Sequence, residues 1–265
     1  MIRVSQLTKH YGNNPVLRGI DLQIGAGEFV VILGQSGAGK STLLRCMNRL
    51  ALADGGELEV AGVDAMQADE ERALRCQVAM IFQHHNVVPR LSVLKNVLSG
   101  RLGAVSTLSS VLQFFRRADV ELAQQCLRRV GLGHKAGERT DSLSGGQMQR
   151  VGIARALAQQ PKVILADEPV ASLDPKTARL VMQYLRDASR ELGITVVCNL
   201  HQVDFAREFA DRIVGLAHGR LVYDGNADGL DDASLQRIYP EAQGDPGEDV
   251  SDHPVSLRYA NGLGG

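Results

Sequence analysis

Residues 34–41, Gly34-Gln35-Ser36-Gly37-Ala38-Gly39-Lys40-Ser41, carry the pattern G-x-x-x-x-G-K-[ST]. These residue types at this spacing suit a polyphosphate. Gly34, Gly37 and Gly39 let the backbone wrap closely. Successive N–H groups up to Thr42, those of Gln35, Ser36 and Ala38 included, then point inward at phosphate oxygens, and a following helix N-terminus adds partial positive charge. Lys40 would reach the β- and γ-phosphates as a point charge, and the Ser41 hydroxyl would ligate Mg²⁺. The flanks decide against a chance glycine turn. Glu28-Phe29-Val30-Val31-Ile32-Leu33 reads as a buried strand, and residues 42–50 place apolar side chains at helical spacing. Strand, glycine-rich turn and helix together imply a site for a nucleoside triphosphate.

Further along, Lys162-Val163-Ile164-Leu165-Ala166-Asp167-Glu168-Pro169 is an apolar strand ending in two carboxylates. A paired-acid strand end is usually a solvated turn, but a phosphate loop needs a metal partner. Asp167 would hold the Mg²⁺ that bridges the phosphates, and Glu168 would polarise a water for in-line attack on the γ-phosphate. Leu143-Ser144-Gly145-Gly146-Gln147 leads into a helix with Ser144 as a natural N-cap. Its glycines expose backbone N–H groups, which makes either a simple cap or a second anion site that one nucleotide on one chain does not need. Three single residues stay open. Tyr11 either stacks on a nucleobase or packs at a strand end. Gln83, at the edge of strand 78–82, either meets Mg²⁺ or a water or is a solvated loop residue. His201, after strand 194–200, either donates to a γ-phosphate oxygen or is structural.

The elements that must position these residues follow from the rest of the pattern. Residues 2–7 and 16–24 alternate apolar and polar positions and read as antiparallel strands; residues 55–63 read as another strand and 67–75 as a polar helix. From Ser92 to Gln160 the pattern is mostly helical, which predicts a helical subdomain, about 90–160, inserted between core strands. Residues 105–115 are apolar but too short to cross a bilayer. A helix over 176–191, with Leu180, Val181, Tyr184 and Leu185 on its buried side, a helix over 203–210, a strand at 212–216 and a hairpin at 219–225 complete the core. The domain is expected to span 1–240. Residues 241–265, rich in acids and glycine, are expected to form a mobile tail.

With 44% hydrophobic and 22% charged residues the chain has the composition of a soluble globular protein, and its net charge of −1 argues against a nucleic-acid-binding surface. No run reaches transmembrane length, and the N-terminus lacks a signal-peptide core. Four widely spaced cysteines, with no CxxC pair, suggest reduced, mostly buried thiols in the cytosol. Any membrane role would come through a partner chain.

Taken in order, Tyr11, the loop 34–41, Gln83, Leu143–Gln147, the strand 163–168, Ser172–Asp174 and His201 resemble the motif set of ABC-type ATP-binding subunits over about residues 1–228. LSGGQ just before the acidic strand is the specific marker. The resemblance implies an α/β P-loop NTPase core with an antiparallel β subdomain and an inserted helical subdomain. It also implies a head-to-tail dimer in which Ser144, Gly145, Gly146 and Gln147 serve the ATP held by the other subunit. Gln83 would transmit nucleotide state to an integral membrane permease, and Asp174 would couple the two sites. The segments Ile81–Val88, Arg90–Leu94, Asn96–Gly103, Ala166–Pro175 and Asn199–Asp204 are similar to the ATP-binding subunit of phosphonate importers. That likeness implies an ATPase energising uptake of phosphonates or related phosphorus oxyanions. Such a subunit sits on the cytoplasmic face of the cell membrane and is served indirectly by a periplasmic or lipid-anchored solute-binding protein. A soluble ABC-type ATPase acting as an assembly switch in phosphonate metabolism is the competing reading. A phosphate-loop kinase is disfavoured by LSGGQ and His201. Neighbouring genes for a permease and a binding protein would separate importer from switch.

Overall fold

A computed structural model describes residues 1–83, 86–104 and 115–240. The apolar stretch 105–114 and the tail from 241 lie outside the described residues, as do His84 and His85. Strand β1 (Ile2–Tyr11) pairs antiparallel with β2 (Asn14–Ile24) and with β4 (Gly55–Val60), and β5 (Val63–Asp64) closes a sheet of order β2-β1-β4-β5. Both long strands run to the Gly12 turn, with Tyr11 opposite Asn14, so they extend beyond the alternating stretches visible in the sequence.

A second sheet has the order β10-β9-β3-β8-β7-β6. It comprises β3 (Phe29–Leu33), β6 (Val78–Ile81), β7 (Val163–Asp167), β8 (Thr195–Asn199), β9 (Arg212–Ala217) and β10 (Arg220–Gly225). Only β10 runs antiparallel to its neighbour. Parallel strands covered on both faces must be apolar throughout, and β3, β7 and β8 are buried at every residue. Their alternate side chains feed two cores. Val30 and Ile32 face the antiparallel sheet and α1 (Lys40–Met47), while Phe29, Val31 and Leu33 face the helices on the other side. Each such fully buried branched side chain contributes about 1.5–3 kcal/mol.

Helix α2 (Glu71–Gln77) starts four residues later than the polar pattern suggests. Helices α3 (Val93–Leu98), α4 (Arg117–Arg129) and α5 (Gly145–Ala158) form the inserted helical subdomain and pack through Val97, Leu127 and Val151. Buried Asn96 donates to Thr140 Oγ1 (2.7 Å) and accepts from the Val88 amide (2.7 Å), tying the chain after Gln83 to the segment that leads into Ser144. Helix α6 (Pro175–Leu192) begins at an Asp174 cap with proline in its first turn and stops at Gly193, whose φ of 65° suits glycine. Its core face is Ala178, Val181, Met182, Leu185 and Ala188. Leu180 is 39% exposed, a correction to the expected buried face. It lies about 100° from Val181 and about 200° from Met182 around the helix, outside the arc that Val181, Met182 and Leu185 define. Helix α7 (Val203–Phe209) and α8 (Asp232–Ile238) complete the chain. No helix among the described residues is long and apolar enough to cross a membrane.

All four cysteines are free, and only Cys76 is partly exposed. Burial pushes the Cys46 and Cys126 thiols from the ordinary 9.0 up to about 11, and raises fully buried Cys198 further. Two units cut the thiolate fraction about a hundredfold, and the thiolate is the reacting species. Native protein treated with iodoacetamide at pH 8 is therefore expected to label at Cys76 first. Mass spectrometry showing all four cysteines modified at one rate would contradict the packing described.

Candidate functional site

The loops that follow β3, β6, β7 and β8 carry the candidate residues, because parallel strands deliver their C-terminal ends to one edge of the sheet. After β3 the chain turns through Gly34 to Gly39. A Cβ on Gly34 would lie 2.2 Å from the Leu216 carbonyl oxygen, and Gly39 enters α1 at φ 103°, so the loop can wrap this tightly only with glycine at both places. Gln35, Ser36 and Gly37 are exposed at the rim, while Ala38 and Lys40 are buried. Lys40 Nζ donates to the carbonyls of Gly34 (2.7 Å) and Gln35 (3.1 Å), closing the loop on itself. Burial lowers the affinity of this ammonium for its proton, and the Glu168 and Asp167 carboxylates oppose that shift.

Ser41 Oγ donates to Asp167 Oδ1 at 2.7 Å, joining the phosphate loop to the end of β7, and Thr42 follows in the first turn of α1, half-buried. Asp167 is 7% exposed. The next residue, Glu168, takes a left-handed conformation (φ 50°), a cost of about 1–3 kcal/mol for a non-glycine residue. Its carboxylate Oε1 accepts from His201 Nε2 at 2.6 Å, so the acid after β7 and the histidine after β8 are one unit. Gln83 lies two residues past β6 and is exposed.

Tyr11, 51% exposed, stands at the end of β1 with the Lys9 ammonium 5.2 Å from its ring centroid. Lys9 is itself held by Asp54 at 2.9 Å. The ring is thus presented outward rather than packed. Ser144 caps α5 in a reciprocal box: its Oγ accepts from the Gln147 amide (3.4 Å), and Gln147 Oε1 accepts from the Ser144 amide (3.0 Å). Gly145 opens the helix. Gly146 lies against α6, where a Cβ would meet Thr177 Cγ2 at 2.5 Å. Thr177 in turn donates its amide to the Asp174 cap (3.0 Å), and hydrogen bonding from Thr177 holds the Asp174 carboxyl below the usual range. The structure therefore makes two groups of contacts. Phosphate loop, Asp167, Glu168 and His201 form one, and Ser144, Gly146, Thr177 and Asp174 form the other.

Three contacts were not anticipated from the sequence. Asn199 Nδ2 donates to Asp167 Oδ1 at 2.9 Å. Gln35 Nε2 donates to the Pro240 carbonyl (2.7 Å), and the Tyr239 hydroxyl donates to the His201 carbonyl (3.3 Å), so residues after α8 reach both nucleotide-side loops. The available signals were an amide at the end of an otherwise apolar strand and the Asp231 cap, whose carboxylate accepts from the Ser234 amide.

A family model described as ABC transporter matches residues 17–171. The phosphonates import ATP-binding protein PhnC of Thiobacillus denitrificans is 50% identical over 260 residues, 98% of this chain and 99% of that protein. The phosphite import ATP-binding protein PxtA of Stutzerimonas stutzeri is 50% identical over 259 residues, 97% of this chain and 94% of that protein. Among solved structures, the ATP-binding cassette MJ0796, in a dimeric post-hydrolysis state bound to ADP and Pi, is similar with a TM-score of 0.72 and 34% identity. That match covers 86% of this chain and 99% of that one. The cassette cbiO1 of Clostridium perfringens, part of the transporter complex cbiONQ, is similar with a TM-score of 0.77 and 29% identity over 89% of this chain and 92% of that one. With a phosphate loop, an acidic strand end and a self-capped LSGGQ helix on one doubly covered sheet, the chain belongs to the ABC transporter family as an ATP-binding, ATP-hydrolysing cassette.

Proposed function

We propose that this cassette is the ATPase subunit of an importer for phosphonates or related phosphorus oxyanions. The observation that carries the reading is the 50% identity to a phosphonates import ATP-binding protein across 98% of the chain. Phosphite is the second cargo to weigh, supported by the phosphite import relative at the same identity.

In this reading the amides of residues 34–42 and the Lys40 ammonium hold the phosphates of ATP, and Tyr11 stacks on the base. Among the described residues no group of three or more His, Cys, Asp and Glu is arranged to hold a metal. The Ser41 hydroxyl and Asp167 carboxylate nevertheless offer two hard oxygens side by side. That donor set fits Mg²⁺, which binds through one or two carboxylates together with substrate phosphates and water. Ser41, Asp167 and Gln83 would hold it; when bound it neutralises charge developing on the phosphates. Glu168 accepts a hydrogen bond from the attacking water, and His201 Nε2–H, now on Glu168, turns to a γ-phosphate oxygen when ATP arrives.

Ser144, Gly145, Gly146 and Gln147 lie on the other contact group and serve the ATP of a second copy, with Asp174 coupling the sites; the dimeric state of MJ0796 supports this arrangement. The domain spans 1–240 with its helical insertion at about 90–160. Permease subunits hold the dimer at the cytoplasmic face of the membrane, and a solute-binding protein outside delivers the cargo.

A strain lacking the gene is expected to fail on an alkylphosphonate as sole phosphorus source and to grow normally on phosphate. Growth on phosphite distinguishes the two cargoes. Normal growth of the deletion strain on several phosphonates and on phosphite, with no second importer present, would refute both.

A further inference from the structure

Asn199 ends β8 opposite Asp167, the last residue of β7, in the parallel register that joins the two strands. It is fully buried, and β8 is buried at every residue. An amide there costs free energy unless it is bonded, and the bond it makes is to a single group. Nδ2 donates to Asp167 Oδ1 at 2.9 Å, whereas Asn199 Oδ1 is buried without a partner. An unmatched buried acceptor is a penalty that an apolar side chain of similar shape would avoid. Packing alone therefore does not account for asparagine at this position. The amide orientation follows from charge: turned over, its carbonyl oxygen would face the carboxylate.

Asp167 Oδ1 receives two donors, Ser41 Oγ and Asn199 Nδ2, and Oδ2 receives neither. A hydroxyl swings about its Cβ–Oγ bond, but the planar amide on a buried neighbouring strand does not follow it. We propose that Asn199 is a positioning residue for the metal-side carboxylate: it pins Oδ1, the oxygen that meets Ser41 of the phosphate loop, and so fixes how the carboxylate faces the metal. This rests on Asp167 being a metal-holding residue, and Asn199 acts only through it. Outer partners of ligating groups are commonly worth about 10–100-fold in metal affinity.

The test uses the full chain with ADP and Mn²⁺, following free Mn²⁺ by its electron paramagnetic resonance signal, alongside ADP affinity in EDTA and thermal melts. Asn199→Leu keeps the branched shape and removes the donor. It is expected to weaken Mn²⁺ association about ten- to a hundredfold while metal-free ADP affinity stays within about twofold. Asn199→Ser keeps a donor on a shorter stem and should lose about threefold or more; it carries the comparison if Asn199→Leu fails to fold. A purely structural role would lower melting temperature and both affinities together, and that result overturns the proposal. If Asp167→Ala weakens Mn²⁺ but both Asn199 variants stay within about twofold, the proposal fails and Asp167 keeps its assignment. Unchanged Mn²⁺ affinity in Asp167→Ala removes both.

Discussion

Glu168→Gln is expected to lower ATP turnover by about 10²–10⁴-fold, the usual worth of a general base. The glutamine is isosteric, so the left-handed turn after β7 and the reach toward His201 are kept while the acceptor charge is lost. ATP affinity should survive, because Lys40, Ser41 and Asp167 are bonded to loop carbonyls and to each other rather than to Glu168. With binding intact and hydrolysis blocked, the variant should accumulate as an ATP-bound dimer on size-exclusion chromatography. In a strain carrying only this allele, uptake should fail as in the deletion, since transport needs repeated turnover. A measured rate within about threefold of wild type would assign water activation elsewhere.

The second large effect concerns where each ATP is completed. Lys40→Ala removes a buried ammonium whose charge-assisted bonds to phosphate are worth about 1.5–3 kcal/mol, so ATP affinity should fall about ten- to a hundredfold or more. Ser144→Arg leaves the phosphate loop untouched and places a bulky cation at the start of α5, where the reciprocal cap with Gln147 now sits. Losing that cap costs about 0.5–2 kcal/mol, so melting curves accompany the assay. The monomer should bind ATP normally and hydrolyse none. Mixing the two variants produces a pair in which one head-to-tail site lacks both groups and the other has both. With Glu168→Gln in each chain to preserve nucleotide, the mixed dimer should trap one ATP rather than two or none. Full hydrolysis by dilute monomeric Ser144→Arg would sink the shared-site arrangement.

How far the sequence carried this picture depended on how local each signal was. The phosphate loop is eight consecutive residues between an apolar run and a helical one, so its position and surroundings were readable directly. Asp167 and His201 were singled out because each stands at the end of an apolar run, where the pattern breaks off. Neighbours across strands were not readable. The Asn199–Asp167 bond depends on β7 and β8 being adjacent in register, and these residues are far apart in the chain. The same holds for Gly146 against Thr177, set by the packing of two helix starts. Helix α8 escaped because seven residues give barely two turns of period, although its Asp231 cap was present. Leu180 was misplaced because the spacing 180, 181, 184, 185 fits a helix face as well as the spacing 178, 181, 182, 185 that is buried.

The bond between Gln35 and Pro240 spans 205 residues, and β3 is flanked in the sheet by β8 and β9, both made late. During synthesis at about 5–20 residues per second, the phosphate loop leaves the ribosome roughly 10–40 seconds before its last contact exists. Early in that interval β3 has open edges, and Asp167, His201 and the residues after α8 join the loop one after another. A nascent chain therefore carries its phosphate loop before its hydrolytic partners, and the unpaired β3 is the stretch a chaperone would shield.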